Sequence, residues 1–183
     1  SSLCLGNSKI FNLLESDDVI SAINTCRKLG VKIIKTRPKE YKIYGKGLGS
    51  FSAKKNTLLD FGNSGTLARL MVGILSTTPN IDVRIKGDHS LNKRDMGKLI
   101  NLMNKFGASF LPKNKFKFPL KLRSSFMPIG IKYNAGVSAQ LKSAVIFAGL
   151  NSYGDTSIRE KKRSRDHTEN LLEKNEQSIK IIN

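Results

Sequence analysis

The chain has no tryptophan, two cysteines and two histidines in 183 residues, and aromatic residues make up only 7% of it. Cys4 and Cys26 lie far apart, with only His89 and His167 to join them, so no zinc-type ligand set can be assembled and no metal is expected. Two cysteines are too few for a disulfide framework and fit a reducing, cytoplasmic compartment. Cys26 sits in a helical pattern and reads as a small core residue. No run of 18 or more apolar residues occurs, so neither a transmembrane helix nor a membrane partner is expected. Ser1 to Gly6 lacks a basic segment and a long apolar stretch, so no secretory signal is read there. The absence of an initiating methionine predicts that the true start lies upstream. Acidic residues are scarce as well, 14 against 32 lysines and arginines, for a formal net charge of +18. Such a balance invites nucleic acid, anionic membranes or acidic substrates. The lysines are spread along the chain, with no Arg/Gly tract and no aromatic-interleaved patch. Part of the excess reads as lysine enrichment from biased codon usage, and the diffuse field that results would draw in small polyanions.

What is present is the composition of one globular domain with a real core, 39% hydrophobic and 25% charged. Lys9 to Leu14 reads as a strand. Ser16 is an N-cap candidate, with Asp17 and Asp18 in the first helical turn, and Val19, Ile23 and Cys26 continue one face to a stop at Gly30. Val31 to Ile34 and Tyr41 to Tyr44 read as strands, and Gly45, Gly47 and Gly49 mark a loop. Ile81 to Ile85 alternates as a strand. Gly87 to Asp95 is a polar entry to a helix carrying Met96, Leu99, Ile100, Met103 and Phe106 and ending at Gly107. Ser109 to Leu111, Leu120 to Leu122 and Ile129 to Tyr133 are strand candidates. A helix opened by Ala135 to Gln140 runs to about Leu150, Thr156 to Arg159 reads as a strand, and the chain ends on one more helix and Ile179 to Ile182.

An internal repeat is visible. Asp18, Asp95 and Asp166 can be set in register, and eleven residues on from each come Leu29, Phe106 and Gln177. Gly30, Gly107 and Ser178 follow, then Val31, Ala108 and Ile179. A second series sets Asn63-Ser64-Gly65-Thr66 against Ser138-Ala139-Gln140-Leu141 at a similar offset. A repeat of this length is one supersecondary unit used more than once, here roughly strand, helix, strand, strand, helix.

Leu58 to Leu70 organises the rest: a short apolar run, a glycine-punctuated turn, then a helix with Leu67, Leu70, Met71, Ile74 and Leu75 on one face. The turn leaves unpaired N–H groups at the helix start beside small residues, the outline of an anion site, with Arg69 one turn in. Arg94 and Arg165 occupy matching places near helix starts, where a cation opposes the helix dipole and a bound oxyanion would offset it. The helix opened by Ser138 is apolar all round and reads as buried, with Ser138, Gln140, Lys142 and Ser143 forming a polar mouth.

Four stretches in this order and spacing resemble the 5-enolpyruvylshikimate-3-phosphate synthase family. They are Leu59-Asp60-Phe61-Gly62-Asn63-Ser64-Gly65-Thr66-x-x-Arg69, Gly87-Asp88-x-Ser90-Leu91-x-x-Arg94, Ala135-Gly136-x-Ser138-Ala139-Gln140-x-Lys142-Ser143-Ala144, and Ser164-Arg165-Asp166-His167-Thr168-Glu169. The resemblance covers nearly the whole chain. It implies an α/β (α+β) fold of repeated βαβαββ units, helices inside and sheets outside. Residues 1–183 would form one partial domain, about two units plus the start of a third, without the second domain. It implies transfer of the enolpyruvyl group of phosphoenolpyruvate to shikimate 3-phosphate with release of phosphate, no cofactor, and a monomeric intact enzyme.

Matched motif by motif, Asn63, Gly65, Thr66, Arg69, Arg94 and Gln140 fall to phosphoenolpyruvate, Gly65 through its backbone. Ser138, Ala139 (through its backbone), Gln140, Ser164 and Arg165 fall to shikimate 3-phosphate. Both ligands carry a phosphate and a carboxylate, which need fixed donors and guanidinium groups. Three departures stand out. Asp95 replaces the family's usual proline after Arg94 and predicts a weakened phosphate grip. Asn175-Glu176-Gln177 is more polar than the family. The family's Lys-Ser-x-x-x-Arg motif is absent, as are the catalytic aspartate, glutamate and lysine of the other domain, so the chain alone is expected to be an inactive, substrate-binding fragment. Two alternatives use the same residues or the same charge: a UDP-N-acetylglucosamine enolpyruvyl transferase-like enzyme, and a basic nucleic-acid-binding module. The Ser164 to Glu169 run favours the shikimate enzyme, and the repeat is unexplained by a nucleic-acid module, so no nucleic-acid partner is expected.

Overall fold

Nine strands and six helices follow one another in a computed structural model that describes residues 1–173 and 179–181. They are β1 (Leu5–Ile10), α1 (Asp17–Lys28), β2 (Lys32–Arg37), β3 (Glu40–Lys46), β4 (Thr57–Asp60), α2 (Gly65–Thr77), β5 (Asp82–Lys86), α3 (His89–Lys93), α4 (Gly97–Lys105), β6 (Ser109–Leu111), β7 (Leu120–Arg123), β8 (Lys132–Ala135), α5 (Ala139–Gly149), β9 (Ser157–Glu160) and α6 (His167–Glu173).

The repeat is written in the sheets. Residues 57–123 run β4-α2-β5-α4-β6-β7, with the short α3 inserted, and their sheet has the order β4-β5-β7-β6. β4 and β5 are parallel; β5 with β7 and β6 with β7 are antiparallel. The unit is therefore βαβαββ, with one strand more than the strand, helix, strand, strand, helix pattern expected from the residues. The sheet β1-β3-β2, all antiparallel, reproduces the last three strands of that order with α1 in the place of α4. The parallel pair β8-β9 reproduces the first two, with α5 in the place of α2 and α6 following. The matched helix ends hold in three dimensions: α1 and α4 are capped by Leu29 and Phe106, and Gly30 and Gly107 both take positive φ. The third copy's Gln177 and Ser178, like Asn175-Glu176-Gln177, lie outside the described residues, and so does the end of the Ile179 to Ile182 strand candidate, whose residues 179–181 form no strand.

Helices lie inside and sheets outside. α2 and α5 pack face to face, with α1 and α4 against them. At the centre Gly73 of α2 comes so close to α5 that a Cβ there would stand 2.5 Å from the Ala144 carbonyl oxygen. Leu67, Ala68, Met71, Val72 and Leu75 of α2 meet Ala144, Val145 and Ala148 of α5 and Leu99, Ile100 and Met103 of α4 in one core. Cys26 is in that core as expected.

Several boundaries differ from the sequence reading, each for a physical reason. β1 is Leu5–Ile10, not Lys9 to Leu14: it pairs in full with β3, and Asn12 at φ 54° turns the chain out of the ladder. Gly45 belongs to β3, not to a loop: it pairs with Gly6 of β1, and the carbonyl of Cys4 passes too close there for any side chain. Ser16 stands at the N-cap of α1, but its side chain makes no capping bond. The polar entry before α4 contains α3, capped by Asp88, whose Oδ1 accepts from Leu91 N–H at 2.7 Å. Ile129 makes only an isolated bridge to Tyr153, and the strand proper is β8. Ala135 ends that strand, and α5 starts at Ala139.

Candidate functional site

The turn between β4 and α2 is built by short polar groups. Asp60 Oδ1 accepts from Gly62 N–H at 3.0 Å, Gly62 takes φ 56°, and Ser64 Oγ accepts from Leu67 N–H at 3.2 Å as the N-cap of α2. A second helix start lies beside it. Ser138 caps α5, its Oγ accepting from Leu141 N–H at 3.4 Å. Gln140 Nε2 crosses between the two helices and donates to Thr66 Oγ1 at 2.8 Å. The two capping serines fix the register of the repeat: Ser64 corresponds to Ser138, so Gly65 matches Ala139 and Thr66 matches Gln140. The sequence alignment, which set Asn63 opposite Ser138, was one residue out, because cap geometry and not residue similarity defines a helix start.

Two guanidinium groups converge on the first turn of α2. Arg69, half-buried, folds back and donates from Nη1 to the Gly65 carbonyl at 2.9 Å. Arg94 arrives from the end of α3 and donates from Nη2 to Asn63 Oδ1 at 2.8 Å. A Cβ on Gly65 would stand 2.8 Å from Nη1 of each arginine. Glycine leaves the space between the cations open. Burial, and secondly the positive charge of Arg94, hold the Arg69 pKa below its usual value. Among the described residues neither arginine forms a salt bridge. Two like charges beside a helix N-terminus, with no carboxylate paired to either among the described residues, form an arrangement suited to an anion.

Arg94 is not at a helix start, as the sequence suggested. It is the C-cap of α3, where a cation suits the helix dipole, and α4 begins at Gly97. Asp95 does not compete for it: its Oδ1 accepts from Gly97 N–H at 2.8 Å.

The loop from β9 to α6 carries the remaining candidates. Ser164 is held by Glu160, whose Oε1 accepts from the Ser164 hydroxyl at 2.6 Å and from its N–H at 3.3 Å. Arg165 is exposed on the same loop and forms no salt bridge among the described residues.

The expected polar mouth of α5 is half turned inward. Lys142 is 2% exposed and its Nζ lies 2.9 Å from Glu160 Oε2 and 2.5 Å from Glu169 Oε1. Ser143 Oγ meets Thr168 Oγ1 at 2.7 Å. Burial opposes the Lys142 charge, but Glu169 and Glu160 outweigh it and raise its pKa. Burial likewise pushes Glu160 up, while the Ser164 hydroxyl and Lys142 pull it lower in net. Sequence reasoning missed Glu160 and Glu169 as parts of the site. The available signal was a lysine on an otherwise apolar helix, which needs carboxylates wherever that helix is buried.

The site is thus assembled from α2, α3, α5 and the loop before α6. Asn63, Gly65, Thr66, Arg69, Arg94 and Gln140 are joined by direct contacts, Ser138 and Ala139 open the adjoining helix, and Ser164 ties to that helix through Glu160 and Lys142. Among the described residues no group of three or more His, Cys, Asp or Glu is placed to hold a metal ion, and no helix is long and apolar enough to cross a membrane.

A family model described as EPSP synthase (3-phosphoshikimate 1-carboxyvinyltransferase) matches residues 1–183. The chain belongs to this family. Relatives carrying the family's enzyme name, 3-phosphoshikimate 1-carboxyvinyltransferase, include one from Ruegeria sp. (strain TM1040), 36% identical over 171 residues, which cover 93% of this chain and 38% of the relative. Another, from Thermodesulfovibrio yellowstonii, is 40% identical over 174 residues, covering 94% of this chain and 40% of the relative. The solved structure of EPSP synthase from Acinetobacter baumannii superimposes with a TM-score of 0.89 at 32% identity, covering 99% of this chain and 41% of that one. The chain spans about two fifths of the length of these family members.

Proposed function

We propose that this chain is the part of an EPSP synthase that holds phosphoenolpyruvate and shikimate 3-phosphate side by side. The reaction joins the enolpyruvyl group of the first to a hydroxyl of the second and releases inorganic phosphate. The observation that carries the reading is the pair of guanidinium groups flanking Gly65, neither paired with a carboxylate among the described residues.

In this reading Arg94 and Arg69 neutralise phosphoenolpyruvate over the first turn of α2. Asn63 orients Arg94, and the absent side chain of Gly65 gives the anion room. Thr66 and Gln140, already hydrogen-bonded, stand at the boundary between the two ligands. Ser138 and the Ala139 N–H at the start of α5, with Ser164 and Arg165 on the facing loop, receive shikimate 3-phosphate. The chain supplies binding and orientation. The chemical groups that move protons are expected on the other part of the intact enzyme, so this chain alone should show no turnover. The proposed reaction uses no metal or organic cofactor, and the two free thiols, Cys4 and Cys26, support a reducing, cytoplasmic setting.

The test is calorimetric titration of the chain with shikimate 3-phosphate and then phosphoenolpyruvate, at two salt concentrations. Saturable binding, weakened about tenfold or more by Arg165→Ala for the first ligand and by Arg94→Ala for the second, is the expected result; loss of one charge-assisted contact is of that order. Binding of UDP-N-acetylglucosamine in place of shikimate 3-phosphate would move the assignment to the related transferase. Steeply salt-dependent binding of any nucleic acid, with neither small ligand bound, would replace it with the reading that the +18 charge alone suggests.

A further inference from the structure

We propose that Glu160 and Lys142 are positioning residues for the shikimate 3-phosphate half of the site, fixing the loop that presents Ser164 and Arg165. The proposal rests on the reading of that loop as a ligand-binding segment and adds what holds it in place.

A lysine ammonium that is 2% exposed has left water almost completely, and an apolar residue of similar size would serve a purely structural helix better. Lys142 is kept charged by carboxylates from two other elements, Glu160 at the end of β9 and Glu169 in α6. These two glutamates bracket the loop at 161–166. The cation therefore sits at the point where both ends of the loop meet α5, the helix whose first turn carries Ser138, Ala139 and Gln140. Ser143 and Thr168 repeat the α5-to-α6 link one residue along.

Glu160 divides its two oxygens between two tasks. Oε2 faces Lys142, while Oε1 accepts from both the hydroxyl and the N–H of Ser164. One carboxylate thus fixes the backbone and the side chain of the residue next to Arg165. Arg165 itself is exposed, so its direction depends on this anchored neighbour. The Ser164 hydroxyl has one proton, and in the free chain it goes to Glu160. A phosphate oxygen that accepts from the Ser164 hydroxyl must displace Glu160 as its acceptor. Lys142 makes the exchange feasible, because a carboxylate already paired with an ammonium is a weaker competitor for it.

Among the described residues, the titratable and charged groups facing this cluster are Lys142 from α5, Glu160 from β9, Glu169 from α6 and Tyr133 from β8, whose hydroxyl is pushed up by burial with a smaller contribution from Glu160. Removing the ammonium would leave two partly buried carboxylates with no cation between them, and like-charge repulsion would then favour proton uptake by the pair.

The experiment compares the chain with Glu160→Gln, Lys142→Met, Lys142→Arg and Ser164→Ala. Each is first checked for a cooperative thermal transition, then titrated with shikimate 3-phosphate at pH 6 to 8. Amide hydrogen exchange of residues 161–166 is measured without ligand. Expected are faster exchange of the loop amides and about tenfold weaker binding in Glu160→Gln and in Lys142→Met, with Lys142→Arg keeping part of what Lys142→Met loses. Relative to the unsubstituted chain, Lys142→Met should bind better at pH 6 than at pH 8, because a proton then stands in for the ammonium. A merely structural role would weaken binding equally across that range. If Ser164→Ala weakens binding while folded Glu160→Gln binds and exchanges like the unsubstituted chain, the positioning role is overturned and the ligand reading stands. If Ser164→Ala has no effect, or the unsubstituted chain does not bind, the proposal falls together with the reading beneath it.

Discussion

At Gly65 the question is what a single methyl group would meet. Its nearest neighbours would be the ends of two flexible side chains, Nη1 of Arg69 and of Arg94, each 2.8 Å away. Such ends can swing aside, and alanine suits a helix better than glycine by up to about 1 kcal/mol. Gly65→Ala should therefore leave the thermal midpoint unchanged or slightly raised. The same methyl group would occupy the space between the guanidinium groups. Phosphoenolpyruvate should bind about tenfold or more weakly, read by titration beside a melting curve. Loss of fold instead of loss of affinity would show that Gly65 serves the backbone and not a ligand. Asp95 teaches a related lesson. Read from sequence it is a negative charge next to a phosphate-binding arginine, yet its carboxylate is occupied with the N–H of Gly97. Adjacent residues in sequence point to different partners where one closes a helix and the other leads into the next.

Gly73 gives the contrasting case among elements. There the added Cβ would strike backbone, 2.5 Å from Ala144 O and 2.9 Å from Ala144 Cα, where α2 packs on α5. Backbone cannot swing aside. Gly73→Ala should force the two helices apart, cost about 1–3 kcal/mol by overpacking and shift Gln140 away from Thr66. Chemical denaturation checks the stability, and weaker shikimate 3-phosphate binding checks the site; an unchanged midpoint would show that the helices can separate freely. The same pair of helices shows how far the sequence could be read. Periodicity found α2 and α5, since Leu67, Leu70, Met71, Ile74 and Leu75 form one face and α5 is apolar all round. The glycine turn and the Ser138 stretch located the two helix starts. Neither periodicity nor spacing could show that those starts adjoin, which depends on a glycine meeting a carbonyl across the core. The Lys142 cluster was illegible for the same reason: its carboxylates lie 18 and 27 positions further along the chain, brought in by β9 and α6. β1 was misplaced because Leu5-Gly6-Asn7-Ser8 has little strand character of its own and is a strand only through its pairing with β3.

For the whole molecule, charge decides the response to solution conditions. Opposing the excess of positive charge are carboxylates held below their ordinary pKa: Glu15 by Lys35 and Tyr41, Asp82 by Lys121 and Arg123, and Glu160 by Ser164 and Lys142 against its burial. A depressed pKa contributes stability that is complete above the unfolded value, about 4, and is lost as pH falls through the lower folded value. The melting temperature should thus hold near neutrality and fall progressively below about pH 4, while self-repulsion grows as negative charge is removed. A midpoint unchanged down to pH 3 would show these pairs to be worthless. At pH 7 the +18 charge makes a second, separable contribution. Any salt should raise the midpoint by screening repulsion, to the same extent in the unsubstituted chain and in Arg94→Ala. Phosphoenolpyruvate at the same ionic strength should do more, because a ligand that binds only the folded chain at 100 times its dissociation constant adds about 2.7 kcal/mol. For a chain of this length that corresponds to a rise of roughly 5–10 °C. Arg94→Ala should keep the response to sodium chloride and lose the excess due to phosphoenolpyruvate. If the excess survives the substitution, the anion is held by the diffuse field and not by the paired guanidinium groups at Gly65.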